Sequence, residues 1–546
     1  MNTVVLFLCC VSTAWAAVVN IKQGSLEGNE LESRGGKTFH AFQGIPFAKP
    51  PLGDLRYRNP EPDPGWEGVF DATKEADICV QEIILIKDFA GIPLGNEDCL
   101  YLNVYTPDPT PGKKLPVMVW IYGGAFQMGG ADSRSCGPSY IMDRDVVYVN
   151  FNYRVGSFGF LSFEDPTLAG NFGMKDQQLA MQWVKENIAA FGGDPDSITL
   201  FGNSAGSCSV HHHLVAPGSQ GLFHRAIMQS GAAWCPWAII PPGQPKVRAQ
   251  AFATLVGCYG DVEQVAKCLR EVPSAVLLQA QLKFMEWGVS PMVNFAPVIE
   301  PDHAGAFISK HPIDYKSSDV PLIIGVNRDE GALFTAEMCA DDMMYVKELN
   351  EGWDRYMPMS VLHNSIVDKE HTVPQVIDAL SNYYLGGHKT VDADNIYNLT
   401  TLFSDILFNE CVYKAAVHHP GPVYFYVYSY EGEVSWASLF GGDCPLKLGV
   451  SHADEMINEF DYETLFGIVL GGKDLEMSQT FLAVWTNFAA TGTPTDDAGK
   501  IKWTRFDSSP NQDYLDFGKS EITMKQMPFG DRLKFIESLP IENKIN

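Results

Sequence analysis

A serine between two glycines follows an apolar run near the middle of the chain. Residues 198–206 read ITLFGNSAG, so Gly202 and Gly206 flank Ser204 at equal spacing. A strand, a sharp turn and a helix in this order push a serine hydroxyl out of a sheet, and only small residues fit where strand and helix approach closely. The start of the helix also favours developing negative charge. The pattern predicts a nucleophilic serine for acyl transfer, and a glycine-rich structural turn is the simpler alternative.

A second glycine-rich segment precedes the serine in the chain. Gly123-Gly124-Ala125-Phe126 directly follows the apolar run 115–122. The tetrahedral intermediate of acyl transfer carries charge on the former carbonyl oxygen, and backbone N–H groups must be in place to stabilise it. We expect the N–H groups of Gly124, Ala125 and Ala205 to donate to this oxygen, with Gly123 allowing the turn.

The elements around these segments alternate between strand and helix. Dense runs of β-branched and aromatic residues at 115–122 and 145–151 are typical of strands that are buried on both faces. A helical stripe across 180–191 ends at Gly192-Gly193, and a short strand at 198–201 follows. Further strands are expected at 224–228, 321–325 and 422–428. This order predicts the α/β class, with a large, mostly parallel twisted sheet and helices on both faces.

Bulk properties narrow the range of functions. The chain has 546 residues and a formal charge of −27, from 39 basic and 66 acidic residues. Such acidity argues against nucleic acids and anionic membranes as partners. The apolar run 4–19, ending in Ala14-Trp15-Ala16, predicts a signal peptide at 1–16, although its start lacks Lys and Arg. We therefore expect a secreted protein without a membrane anchor, with a single domain at 17–546.

Several short motifs lie along the chain in a fixed order. They are EDCLYLN at 97–103, the loop at 123–126, the segments around 150–156 and 170–177, the Ser204 motif and Gln229-Ser230-Gly231. Together these motifs resemble the type-B carboxylesterase and cholinesterase family, over nearly the whole mature length. The Gly-Gly-Ala variant of the glycine-rich loop is similar to insect carboxylesterases of the juvenile hormone esterase or odorant and pheromone esterase type. The resemblance implies the α/β-hydrolase fold and hydrolysis of a carboxylic ester.

The family pattern also assigns the other catalytic groups. It implies that Ser204 is the nucleophile, that Glu330 in NRDEG is the acid, and that His452 after Gly-Val-Ser is the base. Independently, Asp329 and Glu330 follow the strand-like run 321–325, in the nucleophile, acid, histidine order of such enzymes. The residues alone leave both acids open, and the motif favours Glu330. The resemblance further implies the disulfides Cys79–Cys99 and Cys258–Cys268.

The pocket residues suggest a neutral, largely apolar ester. Asn203 stands where many relatives carry Glu, and no Trp occurs between Cys79 and Cys99, which disfavours choline esters that would use a cation–π platform. Phe126, Trp234 and Trp237 are predicted to line the substrate pocket. Juvenile hormone esterase is the more specific alternative, although Asn203 and Ala453 depart from its usual motifs. A lipase and a non-catalytic adhesion protein of the same fold are further alternatives.

The remaining predictions concern groups outside the catalytic set. Asn398-Leu399-Thr400 is an N-glycosylation sequon. Cys208 and His212 share a helical face, but no further metal ligands are evident, so we expect no metal and no cofactor. The histidines at 211–213 are expected to be packing residues. A small-molecule ester is the expected partner, and the oligomeric state is left open.

Overall fold

The computed structural model describes residues 17–85, 92–506 and 512–541. The signal peptide predicted at 1–16 lies outside these ranges. The strands are β1 (Val18–Ile21), β2 (Gly24–Glu27), β3 (Asn29–Glu32), β4 (Thr38–Pro46), β5 (Val69–Asp71), β6 (Gln81–Glu82), β7 (Pro93–Leu94), β8 (Tyr101–Thr106), β9 (Leu115–Ile121), β10 (Val147–Phe151), β11 (Gly193–Asn203), β12 (Arg225–Gln229), β13 (Leu322–Asn327), β14 (Val423–Ser429), β15 (Asp513–Gly518) and β16 (Ile522–Gln526).

The α-helices of the same ranges flank the sheets. Helix α8 is interrupted by non-helical residues at 340–343. The helices are α1 (Ser133–Cys136), α2 (Gly156–Phe160), α3 (Phe172–Asn187), α4 (Ala205–Val215), α5 (Gln244–Leu255), α6 (Val262–Glu271), α7 (Ser274–Leu282), α8 (Ala332–Glu351), α9 (Trp353–Leu362), α10 (Val373–Leu385), α11 (Ile396–Ser404), α12 (Glu410–His418), α13 (Trp436–Gly441), α14 (Glu463–Phe466), α15 (Gly472–Thr491) and α16 (Asp531–Ser538).

Eleven strands form one sheet, in the order β16-β15-β14-β13-β12-β11-β9-β10-β8-β4-β3. Seven neighbouring strands pair in parallel, in the order β10-β9-β11-β12-β13-β14-β15 across the sheet. The antiparallel pairs lie towards the two edges. This is the α/β-hydrolase architecture, and the predicted α/β class is confirmed. Because the carboxyl ends of parallel strands meet at one edge, the loops after β9, β11 and β13 converge there.

The central strands are apolar because both of their faces are covered. Every residue of β10 and β13 is buried, as are the last five residues of β9. Helix α4 packs on β9, β11 and β12, and helix α15 packs on β9 and β11. A strand with helices on each side has no polar face, which explains the continuous apolar runs in the sequence. The sheet thus forms a rigid base for the loops at its edge.

Two apolar cores are present in the described residues. The larger surrounds the sheet, and the smaller is formed mainly by helices α8 to α11 between β13 and β14. Both pairs of cysteines that the family resemblance implied are bonded, Cys79 to Cys99 and Cys258 to Cys268. Two further disulfides join distant parts of the chain, Cys235–Cys411 and Cys339–Cys444. The sequence did not predict these, because spacing does not determine pairing.

Asn398 lies on helix α11 with an exposed side chain. Its sequon partner Thr400 is buried, and the Thr400 hydroxyl donates to the carbonyl of Ile396 at 3.1 Å. The attachment atom therefore reaches solvent, while the threonine packs inward. None of the helices in the described part of the chain combines the length and the apolar composition that a bilayer crossing requires.

Candidate active site

Ser204 lies at a sharp turn between β11 and α4. Its backbone has φ 59° and ψ −123°, a conformation that is uncommon for a residue with a side chain. Its N–H donates to the carbonyl of Gln229 on the neighbouring strand at 2.8 Å. A Cβ on Gly202 or Gly206 would lie 2.5 or 2.0 Å from the carbonyl oxygen of Ile121. Only glycine fits at these two positions, for the steric reason that the sequence motif indicates.

Glu330 and His452 are joined by a short hydrogen bond. The Nδ1 atom of His452 lies 2.5 Å from Oε2 of Glu330, and the other carboxylate oxygen accepts the N–H of Asn327 at 2.7 Å. Glu330 is fully buried, and His452 is nearly so, with its ring 4.7 Å from that of Phe408. Because the carboxylate accepts a hydrogen bond from Nδ1–H, the neutral imidazole carries its proton on Nδ1 and its free lone pair on Nε2. Nε2 can therefore act as a general base.

The neighbouring acid, Asp329, has a different set of contacts. One oxygen accepts the N–H of Val450 at 2.7 Å and the Nε–H of Arg328 at 2.8 Å, and the other accepts the hydroxyl of Tyr397 at 2.5 Å. Burial, together with this hydrogen bond, raises the pKa of Tyr397 to about 12. Asp329 thus holds the start of the loop that carries His452, whereas Glu330 contacts the imidazole itself.

The glycine-rich loop after β9 is pressed against the turn at Ser204. A Cβ on Gly123 would lie 2.7 Å from the carbonyl oxygen of Asn203 and 3.0 Å from the Cβ of Ser204. Gly124 and Ala125 have φ of 107° and 56°, and both line a cavity together with Ser204. Ala205 begins helix α4, where backbone N–H groups have no acceptor within the helix. The three predicted donors therefore lie on segments that meet beside the serine.

A buried carboxylate that the sequence analysis did not assign lies behind these groups. Glu455 accepts hydrogen bonds from the side-chain amides of Asn203 at 2.7 Å, Asn327 at 2.5 Å and Gln229 at 3.3 Å. Burial and the charge of nearby Glu330 raise its pKa. Its position three residues after His452 was visible in the sequence, but its partners come from three different strands. Glu455 therefore links the turn before Ser204 to the segment before Glu330.

Two cavities open on Ser204. The larger has a volume of about 600 Å³ and is also lined by His452. The smaller has a volume of about 70 Å³ and is also lined by Trp237. Phe126 is fully buried behind Trp237, with ring centroids 6.5 Å apart, and Trp234 packs edge-on against the ring of His211. Of the three predicted pocket residues, only Trp237 lines a cavity at the serine, so the placement of Phe126 and Trp234 does not support that role.

Cys208 and His212, which share a face of helix α4, each have a hydrogen-bond partner inside the protein. The Cys208 thiol donates to the carbonyl of Ala232, and a ring nitrogen of His212 lies 3.2 Å from the carbonyl oxygen of Ala238. Within the described ranges, no group of three or more His, Cys, Asp or Glu side chains could hold a metal ion.

The three consecutive histidines of helix α4 predict a pH-dependent stability. Burial lowers the pKa of His211 and His213 to about 3 and that of His212 to about 4, from 6.5 in an exposed histidine. Between pH 6.5 and these lowered pKa values, the unfolded chain thus binds more protons than the folded chain, and folding stability falls as the pH falls through this window. Each histidine contributes about 1.4 kcal/mol per pH unit in that range.

His213→Gln should remove one of these contributions. Gln retains a donor and an acceptor for Ser219 and Gln177, which lie 2.8 and 2.9 Å from the histidine nitrogens. We expect the slope of unfolding free energy against pH, from urea titrations between about pH 4.5 and about pH 5.5, to decrease by about 1.4 kcal/mol per pH unit. The matched control, His388→Gln, changes an exposed histidine and should leave the slope as it is. Equal slopes in both variants would contradict the assignment.

Comparison with known proteins decides the family. A sequence model of the carboxylesterase family matches residues 16–536. The chain belongs to the carboxylesterase family. It is 35% identical to venom carboxylesterase-6 of Apis mellifera, over 100% of this chain and 99% of that protein. It is also 35% identical to juvenile hormone esterase of Tribolium castaneum, over 90% of this chain and 86% of that protein.

A solved structure supports the same assignment. The crystal structure of juvenile hormone esterase from Manduca sexta, with OTFP covalently attached, superposes with a TM-score of 0.84 at 28% identity. The match covers 96% of this chain and 99% of that one. This carboxylesterase is therefore a carboxylic ester hydrolase, and the predicted resemblance to insect carboxylesterases is confirmed.

Proposed function

We propose that the carboxylesterase hydrolyses a neutral, largely apolar ester through an acyl-enzyme, with Ser204 as nucleophile, His452 as base and Glu330 as acid. The single observation that carries the proposal is the buried Glu330–His452 hydrogen bond beside a cavity that His452 and Ser204 line together. The geometry at Gly124 and Ala125 supports their role as donors to the oxyanion, together with the N–H of Ala205.

In the proposed mechanism, the Ser204 hydroxyl attacks the ester carbonyl while Nε2 of His452 takes its proton. Negative charge moves to the carbonyl oxygen, which accepts hydrogen bonds from the backbone N–H groups. The C–O bond to the alcohol then breaks, and His452 returns the proton to the departing oxygen. In the second half, a water molecule attacks the acyl-enzyme carbonyl while His452 takes its proton. The bond to Ser204 then breaks, His452 returns the proton to the serine oxygen, and the carboxylic acid leaves. Glu330 stabilises the imidazolium in both halves of the reaction.

The proposal of a neutral substrate is based on the groups nearest the serine. Asn203, directly before Ser204, has an uncharged side chain whose amide donates to Glu455. The larger cavity is lined mostly by apolar and aromatic side chains, among them Met128, Met456, Phe440 and Phe466, although Glu75, Asp77, Asp132 and Arg134 also contribute to its lining. Such a lining favours an uncharged ligand, because a charge would lose its hydration there.

We further propose that the protein is secreted and carries a glycan on Asn398. Four disulfides in the described residues are typical of an oxidising compartment. The exposed Asn398 side chain is compatible with attachment of a glycan. The apolar run at the start of the sequence has the pattern of a secretory signal.

The proposal is tested by comparing a neutral alkyl acetate with acetylcholine, which carries the same acyl group on a cationic alcohol. We expect kcat/KM for the alkyl acetate to exceed that for acetylcholine by at least about 100-fold, because the mostly apolar lining cannot replace the hydration of the ammonium. A preference for acetylcholine would overturn the neutral-ester proposal. Hydrolysis of neither ester, while intrinsic fluorescence shows the protein to be folded, would favour the non-catalytic alternative.

A further inference from the structure

A polar cavity of about 310 Å³ lies beside helix α11, and Ser204, Glu330 and His452 are not among its lining residues. Its wall comes from α11, from the neighbouring strands β14, β15 and β16, and from the segment that leads into α16. The volume lies within the range of sites that bind small ligands. The cavity is therefore a candidate binding site that is separate from the reacting serine.

The charged groups of this cavity already pair with one another. The Nζ atom of Lys525 lies 2.8 Å from Asp516, and Nε of Arg328 lies 2.8 Å from Asp329. The third cation, Arg532, has a carboxylate partner at 3.2 Å. An ion of either sign would have to displace one of these partners, whereas an uncharged ligand can use the donors and acceptors that remain. The lining therefore favours a neutral ligand that is rich in hydroxyl and amide groups.

Hydrogen-bonding groups and aromatic rings lie side by side in the wall. Asp516 accepts from Lys525 and, at 2.7 Å, from the hydroxyl of Ser429, which leaves part of the capacity of its carboxylate for further donors. Tyr514 and Phe529 also line the cavity. A sugar ring has hydroxyl groups at its rim and an apolar C–H face that packs on an aromatic ring. The lining thus has both kinds of contact that a carbohydrate needs.

The predicted glycosylation site lies at the edge of this cavity. Tyr397 and Thr401, one turn apart on α11, line it, and Asn398 lies between them in the sequence with an exposed side chain. Residues three apart on a helix are neighbours, with about 5 to 6 Å between their Cβ atoms, so a glycan on Asn398 starts beside Thr401. N-linked glycans begin with N-acetylglucosamine, an uncharged sugar with hydroxyl and amide groups.

We propose that the glycan on Asn398 folds back on the protein and that its first sugars occupy this cavity. The match between a neutral polar ligand and a lining of paired charges and aromatic rings carries the inference, together with the position of Asn398 beside Thr401. The inference rests on the proposed glycan at Asn398 and does not depend on the proposed hydrolysis of an ester.

The rate at which peptide-N-glycosidase releases the glycan tests this docking. The enzyme is secreted from a mammalian cell line, and release from the native protein is normalised to release after denaturation. We expect native release from the wild type to be at least about 10-fold slower than from Tyr514→Leu, because docked sugars must first leave the cavity and the variant lacks the ring on which they pack. The matched control, Tyr259→Leu, changes an exposed tyrosine that does not line the cavity, and its release should be as slow as that of the wild type.

Hydrogen exchange locates the docking without a change in the cavity. Glycosylated wild type is compared with Asn398→Gln by mass spectrometry. We expect amides of residues 513–518 and 522–532, across the cavity from α11, to exchange more slowly in the glycosylated protein by a similar factor of about 10. A glycan that extends into solvent would change exchange in α11 alone.

The outcomes separate this inference from the proposals on which it does and does not rest. Equal release from the wild type and Tyr514→Leu, or protection confined to α11, would overturn the docking and leave the proposed glycan intact. A secreted protein whose Asn398 peptide carries no glycan would overturn both. Neither result would affect the proposed hydrolysis through Ser204, which is measured separately. The exchange comparison decides the matter even if Tyr514→Leu does not fold.

Discussion

Ser204→Ala should reduce kcat for ester hydrolysis by about a million-fold, the cost of removing the nucleophile from a serine enzyme of this type. Alanine cannot form the acyl-enzyme, and a bound water would have to attack the ester in its place. The residual rate should still exceed that in water, because the oxyanion donors at Gly124, Ala125 and Ala205 do not depend on the hydroxyl. Steady-state hydrolysis of a neutral alkyl acetate measures the loss.

Ser207→Ala is the matched control for this substitution. Ser207 lies on helix α4, three residues after Ser204, and its buried hydroxyl donates to the carbonyl of Gly231 at 2.6 Å. Removing this hydrogen bond should lower the free energy of unfolding by about 1 kcal/mol. We expect kcat to stay within about 10-fold of the wild type, because Ser207 takes no part in the proposed chemistry. If Ser207→Ala lost as much activity as Ser204→Ala, or if Ser204→Ala stayed active, the nucleophile would be elsewhere.

Glu330→Gln should reduce kcat by about ten thousand-fold with little change in KM. The carboxylate accepts from Nδ1 of His452 and from the N–H of Asn327. If the amide oxygen of Gln keeps the hydrogen bond from the N–H of Asn327, its N–H₂ group faces Nδ1 of His452. The imidazole must then carry its proton on Nε2, so that no lone pair is left towards Ser204. The substitution is nearly isosteric, so the loss reports on charge and tautomer rather than on packing. Kinetics on the purified variant measure it.

Asp329→Asn tests which of the two adjacent acids, Asp329 or Glu330, acts on His452. Asp329 accepts from the backbone of Val450 and the side chains of Arg328 and Tyr397, none of which takes part in the proposed chemistry. We expect this variant to lose stability, by about 1 to 3 kcal/mol, and to keep kcat within about 10-fold of the wild type. A catalytic loss larger than that of Glu330→Gln would reverse the assignment of the acid.

The local motifs were the most predictable part of the site. The Ser204 turn, the glycine-rich loop and the apolar central strands all follow from contacts within a few residues or across neighbouring strands, so sequence pattern was sufficient. The choice between Asp329 and Glu330 needed the family resemblance, because both acids follow the same strand. Only the fold shows that their carboxylates point to different partners.

Features that depend on contacts distant in sequence were not predictable. The disulfides Cys235–Cys411 and Cys339–Cys444 close separations of 176 and 105 residues. Trp234 and Trp237 lie three residues apart in one apolar segment, yet only Trp237 lines a cavity at the serine. Glu455 was visible as an acid near His452, but its three amide partners lie far away in the chain. Each of these outcomes depends on how separate segments pack.

The site of covalent labelling by an organophosphate tests most directly whether Ser204 is the nucleophile. The intact enzyme is inhibited with diisopropyl fluorophosphate, digested, and the modified peptide is sequenced by mass spectrometry. We expect one label per chain on Ser204, formed in step with the loss of activity, and strongly slowed labelling in Glu330→Gln. Stoichiometric labelling of any other serine, or full inhibition with Ser204 unmodified, would contradict it.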